Sequence, residues 1–444
     1  MLTLSRSLAV VFVLAVSGAS FVIGACGGGD DGAAGPAGPP GPAGPQGQTG
    51  PAGPQGPAGS SGAVGDGGIL TGACTTPCHT FNGVVDQWRF SNHSHPQNNE
   101  IGGGACGNCH AIDGLQQRAA NNFIAVDGAA PTGVPKGHIT YKLHPDASAQ
   151  EISYGGATTI GRIHCATCHD FNQTNDPHVV GKYVAGQAPL RIAGGVNDTA
   201  ILETTTDASA NMPIGTELAY RSGNTCVACH KSRKDIKFYI TASNSMNSTR
   251  WGPHDGPQTD VYSGKGGYEF TGLGYSTSAH ATIANACVAC HMQPVAANAN
   301  VPDHTMKPNV AYCKTCHTGY TGTTFDVQGG RSLVTNALSE LQKALNDKSL
   351  LTRSASPPYA ALSDDELQDR QFHLDTVRPN SGAANAHQVL DAATAGAVYN
   401  YLIIARSKDL GVHNPTYTKQ LLWDSLKQIN GQAYVPTSIP ARPQ

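Results

Sequence analysis

The placement of cysteine constrains this chain more than any other feature. Of 13 cysteines in 444 residues, 12 fall in pairs, and each pair is followed at once by a histidine. Five pairs have C-x-x-C-H spacing: Cys106 and Cys109 before His110, Cys165 and Cys168 before His169, Cys226 and Cys229 before His230, Cys287 and Cys290 before His291, and Cys313 and Cys316 before His317. The sixth is one residue wider, Cys74 and Cys78 before His79, with Pro77 inside it. Two thiols at this spacing reach the two vinyl groups of one haem as thioethers, and the next imidazole then lies under the iron. Competing readings need what the pattern lacks. Disulfides do not require a histidine after every second cysteine, six zinc sites would need further ligands, and a redox C-x-x-C occurs once or twice, not six times. The expectation is six covalently attached c-type haems.

Each iron then needs a ligand on its other face. Six of the 18 histidines belong to the motifs, which leaves His93, His95, His138, His144, His164, His178, His254, His280, His304, His373, His387 and His413. The methionines of the same region are Met212, Met246, Met292 and Met306, and Met292 directly follows a motif histidine. This twofold surplus of histidine favours His/His ligation throughout, and haems without an axial methionine are expected to have low potentials.

Composition supports a cofactor-filled interior. Aromatic residues are 6% and charged residues 13% of the chain, while glycine numbers 53. That is a thin supply of core side chains, which porphyrins would supplement. With 28 Lys+Arg against 31 Asp+Glu the net charge is −3, and no sizeable basic run occurs. Nucleic acid is therefore not an expected partner. The expected fold class is mainly α with much irregular loop, a multihaem array whose stacked haems form the core, followed by a helical C-terminal part. Val334, Leu338, Leu341 and Leu345 have helical spacing. Residues 387–404 form a second helical candidate, and Leu422, Leu426 and Ile429 mark a third.

The N-terminal 68 residues read as export and reach. Arg6 precedes a mostly apolar stretch from Leu8 to Ile23, too short and interrupted for a permanent span. Ile23-Gly24-Ala25-Cys26 resembles a bacterial lipoprotein box, in which Cys26 is lipidated and becomes the mature N-terminus. Glycine then recurs at every third position from Gly32 to Gly68. Only glycine fits the axis of three wound polyproline-II chains, so the tract reads as collagen-like, with a lone stiff spacer as the alternative. Its 36 residues reach roughly 110 Å at about 3.1 Å each. Four parts result: signal peptide 1–25, lipidated cysteine and stalk 26–68, hexahaem domain 69–330, and helical part 331–444 packing on the haem array.

The motifs resemble those of exported multihaem c-type cytochromes, especially the outer-surface hexahaem cytochromes of dissimilatory metal-reducing bacteria. Trp88-Arg-Phe-Ser91-Asn-His93 resembles the W-x-x-S-x-H element of that family, and Ser278-Ala-His280 is similar. Asp176-Pro177-His178, Trp251-Gly-Pro-His254, Asp303-His304-Thr305 and Gly411-Val-His413-Asn-Pro415 resemble other contexts of a distal histidine. With His164, which stands just before Cys165, these make seven distal candidates for six places. The resemblance implies an outer-membrane-anchored conduit that passes electrons to extracellular acceptors such as metal oxides, humics or partner cytochromes. Two other classes remain open: a reductase of a small nitrogen or sulfur oxyanion at one open haem, and a subunit of a conductive filament. A homotrimer through the stalk is also left open. The lysine-ligated motif C-x-x-C-K of pentahaem nitrite reductases does not occur, and no dedicated catalytic element stands out.

Overall fold

The structure is a computed structural model that describes residues 84–94, 107–111, 114–119, 140–142, 151–153, 163–170, 190–192, 200–203, 216–233, 235–242, 244–246, 251–295, 298–352, 376–377 and 389–444. The expectations placed on Cys26, the glycine-repeat stalk, Cys74, Cys78, His79, Cys106 and His178 lie outside these residues.

Through residue 317 the described chain consists of short helices and small ladders joined by irregular segments. The helices are α1 (Val84–Arg89), α2 (Gly107–His110), α3 (Gly114–Ala119), α4 (Cys165–Cys168), α5 (Asn224–Val227), α6 (Gln258–Tyr262), α7 (Cys287–His291) and α8 (Val310–Cys316). Among the described residues, strand pairing is confined to two-stranded antiparallel ladders such as β1 (Ala200–Leu202) with β2 (Thr216–Leu218). The fold is mainly helical with much irregular loop. Among the described residues no helix is long and apolar enough to cross a membrane.

The long helices are α9 (Gly330–Asp347), α10 (Ala392–Ser407) and α11 (Pro415–Asn430). Val334, Leu338, Leu341 and Leu345 fall on one face of α9 and are fully buried. Helix α10 starts where Asp391 accepts from the Thr394 amide at 2.9 Å, and it ends where Lys408 turns left-handed. It is buried almost all round, from Ala395 to Ile404, as befits a central helix. Asn414 caps α11, and Pro415 occupies its first turn, where a missing N–H costs nothing.

The three helices pack into one apolar cluster that also takes in Met246 and Val261 from the preceding region. A conventional side-chain core is thus present after all. The low aromatic content of the whole chain conceals it, because the apolar residues are concentrated in these three helices. Polar clamps tie the cluster to the loops before it. Tyr268 donates its amide to Asn400 Oδ1 at 2.7 Å, and Asn400 Nδ2 donates back to the Tyr268 carbonyl at 3.0 Å. Gly396 allows the ring of Tyr268 to lie directly on α10, since a β-carbon there would collide with it. Ser278 donates its amide to Asn414 Oδ1 at 2.9 Å, and Asn414 Nδ2 donates to the Tyr262 carbonyl at 3.2 Å. Helices α10 and α11 are thereby fixed against the segment from Tyr262 to Ser278, which leads into His280, and His413 lies between them.

Candidate metal centres

Each described motif forms about one helical turn and ends at its histidine. In α7 the turn runs from Cys287 to His291, and in α8 the helix stops at Cys316 with His317 as its C-cap. In α4 His169 caps the C-terminus. One turn places residues three apart on the same side, so paired cysteines face together with the imidazole just beyond.

Opposite each described motif histidine stands a second imidazole brought from elsewhere in the chain. His230 faces His93 with ring centroids 5.9 Å apart. His110 faces His254 at 6.1 Å, and His169 faces His304 at 6.3 Å. His317 faces His280 at 6.1 Å, and His291 faces His413 at 6.2 Å. A metal ion between two imidazoles needs about 2 Å to each nitrogen, and roughly 1 Å more separates that nitrogen from its ring centre. Centroids near 6 Å therefore leave room for one ion between the rings, and all five pairs have this spacing.

The second ring nitrogens are oriented by neighbours, as those of metal-ligating imidazoles commonly are. His280 Nδ1 lies 2.7 Å from the Val412 carbonyl, His291 Nδ1 3.0 Å from that of Met306, and His304 Nδ1 2.9 Å from that of Pro302. His254 Nδ1 lies 2.7 Å from the Asp255 carbonyl. His230 Nδ1 lies 3.1 Å from Gln258 Oε1, whose amide donates onward to the Ser407 carbonyl at 2.9 Å. The His93 Nδ1 neighbour is Met306 Sδ at 2.8 Å. Burial, and then His230 beside it, pulls His93 down to about 4; burial, and then Arg233, does the same for His254. Burial also lowers His230, His291 and His304. Neutral imidazole is the form that binds a metal.

The thiols are not arranged as a zinc cage. Burial pushes the Cys168 thiol up to about 12 and that of Cys290 up to about 11, which disfavours the thiolate that a zinc site needs. Among the described residues no group of three or more His, Cys, Asp or Glu side chains converges on one metal position. Two imidazoles per centre, with a cysteine pair just ahead of one of them, fit a c-type haem: the imidazoles would hold its iron and the cysteines would attach it. Beside Cys316 and His317 an open cavity of about 590 Å³ continues past Tyr320 and Asp326.

The pairs adjoin one another. Leu115, Ile192 and Ala228 form one small cluster, which ties together the segments of His110, His169 and His230. Thr225 donates to the Ile192 carbonyl at 3.1 Å. Gly223 permits the closest approach: a β-carbon there would lie 2.7 Å from the Asn285 carbonyl oxygen, just ahead of Cys287. The loop from Pro302 to Met306 touches His304, His93 and His291. Val412, which holds His280, is next to His413. Contacts thus run from the segments of His110 and His169 through His230 and His291 to His317.

Of the seven distal candidates, His93, His254, His280, His304 and His413 each stand opposite a motif histidine. His164 caps α4, its Nδ1 accepting from the Ala166 amide at 3.0 Å. Sequence reasoning did not find Gln258 or Gly223, nor Asp409, whose Oδ2 accepts from the His413 amide at 3.0 Å. The carbonyls that hold the rings carry no side-chain signature, and only proximity in the fold reveals these three.

No family model matches the chain. Two curated relatives, each a C-type polyheme cytochrome OmcB, come from Geobacter sulfurreducens strains DL-1 / KN400 and ATCC 51573 / DSM 12127 / PCA. Both are 25% identical over 383 residues, covering 81% of this chain and 48% of the relative. The chain therefore spans about half the length of the curated relatives it matches. Among solved structures, the outer cell wall cytochrome OcwA aligns with a TM-score of 0.39 and 17% identity over 78% of this chain and 50% of that one. Repeated attachment motifs, facing imidazoles and the likeness to the polyheme relatives agree: the chain is a multihaem c-type cytochrome, with covalently bound haem.

Proposed function

We propose that this chain is an exported hexahaem electron conduit, anchored to the outer membrane through Cys26 and delivering electrons to extracellular acceptors such as metal oxides, humics or partner cytochromes. Bound haem supplies a one-electron Fe(III)/Fe(II) couple. The chain's own residues hold it: thioethers from Cys74 and Cys78, Cys106 and Cys109, Cys165 and Cys168, Cys226 and Cys229, Cys287 and Cys290, and Cys313 and Cys316. The proximal ligands are His79, His110, His169, His230, His291 and His317. His93, His254, His280, His304 and His413 are distal ligands, and the sixth distal place falls to His178, His164 or a histidine of another subunit.

The observation that carries this reading is that all five described motif histidines face a second histidine. Two strong axial ligands at a centre leave no position for a substrate, which favours electron passage over chemistry on a small oxyanion. Adjacency of the centres supports a continuous row, and the exposure of Cys165 and Cys316 supports access to two of its members from solvent. The polyheme relatives support electron transfer in general.

The test is reoxidation of dithionite-reduced protein followed in a stopped-flow spectrometer. A soluble ferric chelate and suspended ferric oxide are expected to reoxidise every haem, with nitrite and sulfite giving no turnover. Steady reduction of nitrite or sulfite would overturn the conduit reading in favour of a reductase.

A further inference from the structure

His413 differs from six other axial candidates in what its second ring nitrogen faces. His93, His230, His254, His280, His291 and His304 meet a thioether, an amide oxygen or a backbone carbonyl, all of them neutral. His413 Nδ1 is buried without a hydrogen-bond partner, and the nearest anionic group is Asp409 Oδ2 at 3.7 Å. That carboxylate is itself buried, with its side chain 1% exposed. It is held in place from two sides: Ser407 Oγ donates to Oδ1, and the His413 amide donates to Oδ2 at 3.0 Å.

Asp255 and Asp303 also neighbour axial candidates, His254 and His304. Both are partly exposed, where water screens them, and Arg233 opposes Asp255 at His254. Asp303 is directed away, accepting from the Thr305 amide at 2.8 Å. Asp409 is the one of the three that is buried and aimed at a ring nitrogen.

We propose that Asp409 is a positioning residue for His413, and that its carboxylate makes the haem held between His291 and His413 more reducing than the imidazoles alone would. This rests on the ligation proposed above. At 3.7 Å the carboxylate makes no hydrogen bond to Nδ1, but its negative charge polarises the buried ring, which makes the ring a stronger donor through Nε2. A stronger donor favours ferric over ferrous iron, and the low local dielectric enlarges the effect. No atom leaves or joins the haem; the consequence is a shifted one-electron equilibrium. Because the His291 segment adjoins those of His230 and His317, this places a reducing step inside the row.

The test is a redox titration of the holoprotein, with each low-spin haem resolved by electron paramagnetic resonance. In Asp409→Asn, one haem is expected to shift its equilibrium at least tenfold towards the ferrous form, which is about 59 mV for one electron. The other haems stay in place, all irons stay low-spin, and Asp409→Glu keeps the native value. Ser407→Ala removes a donor from the carboxylate and is expected to move the same haem the opposite way, which keeps the test available if Asp409→Asn fails to fold. Unchanged midpoints in Asp409→Asn, or in Ser407→Ala where that variant stands in, would overturn the role of Asp409. His413→Ala checks the ligation separately. One new high-spin haem supports it, and wholly low-spin irons would overturn the assignment on which the inference stands.

Discussion

Asp260, at the middle of α6, gives a quantitative test of how the histidine scaffold is held. It is 1% exposed, and its Oδ2 accepts from the Ser232 amide at 2.7 Å, two residues after His230. Burial raises its pKa from 3.8 to about 7, against the lowering effects of Ser232 and Lys231. Lys231 is itself paired with the buried Glu203 at 3.1 Å. A carboxyl with a raised folded-state pKa is bound to its proton in the native state while the unfolded chain has already released it. Its stabilising contribution is complete below about pH 4 and is lost as the pH rises towards about 7. Three pKa units at about 1.4 kcal/mol each make the full effect on the order of 4 kcal/mol. Asp260→Asn keeps an acceptor for the Ser232 amide but cannot ionise. Urea unfolding of the holoprotein between about pH 4.5 and about pH 8 is the assay. The wild type is expected to lose stability relative to the variant across that range. A variant that loses stability in parallel with the wild type, or a wild type that gains on the variant as the pH rises, would refute the reasoning.

Three further outcomes are expected. Leu338→Ala removes a fully buried side chain from the face of α9 that meets α10 and α11 and should cost about 2–5 kcal/mol, read from a thermal or urea transition. Gly223→Ala drives a methyl group towards the Asn285 carbonyl, a backbone atom that cannot rotate away; a cost of about 1–3 kcal/mol is expected, with changed resonance signals from the haems at His230 and His291. His280→Ala should convert one low-spin iron to high-spin and open it to cyanide, as read by absorption spectroscopy.

What the sequence discloses and what it hides divide along physical lines. The cysteine motifs are legible because covalent attachment demands a fixed local spacing. Helix α9 is legible because Val334 to Leu345 keep a strict period. The second helix is legible only in outline: the apolar run suggests 387–404, whereas α10 runs from Ala392 to Ser407. Its boundaries are set by the cap at Asp391 and the left-handed Lys408, not by hydrophobicity. Distal candidates can be enumerated from local contexts, but the pairing of His93 with His230 or His254 with His110 is a product of tertiary folding. The same holds for the Nδ1 contacts, most of which end on backbone carbonyls. Asp409 lies one turn before His413, yet nothing in that spacing distinguishes it from an ordinary helix-end carboxylate.

The central claim is that the irons are closed by two histidines each, and the oxidised holoprotein reports on it directly. Its electron paramagnetic resonance spectrum, integrated against the haem content from a pyridine haemochrome assay, gives low-spin irons per chain. Six haems per chain, all low-spin, are expected, with no change on adding cyanide or nitrite. A native high-spin iron that binds either anion would contradict it.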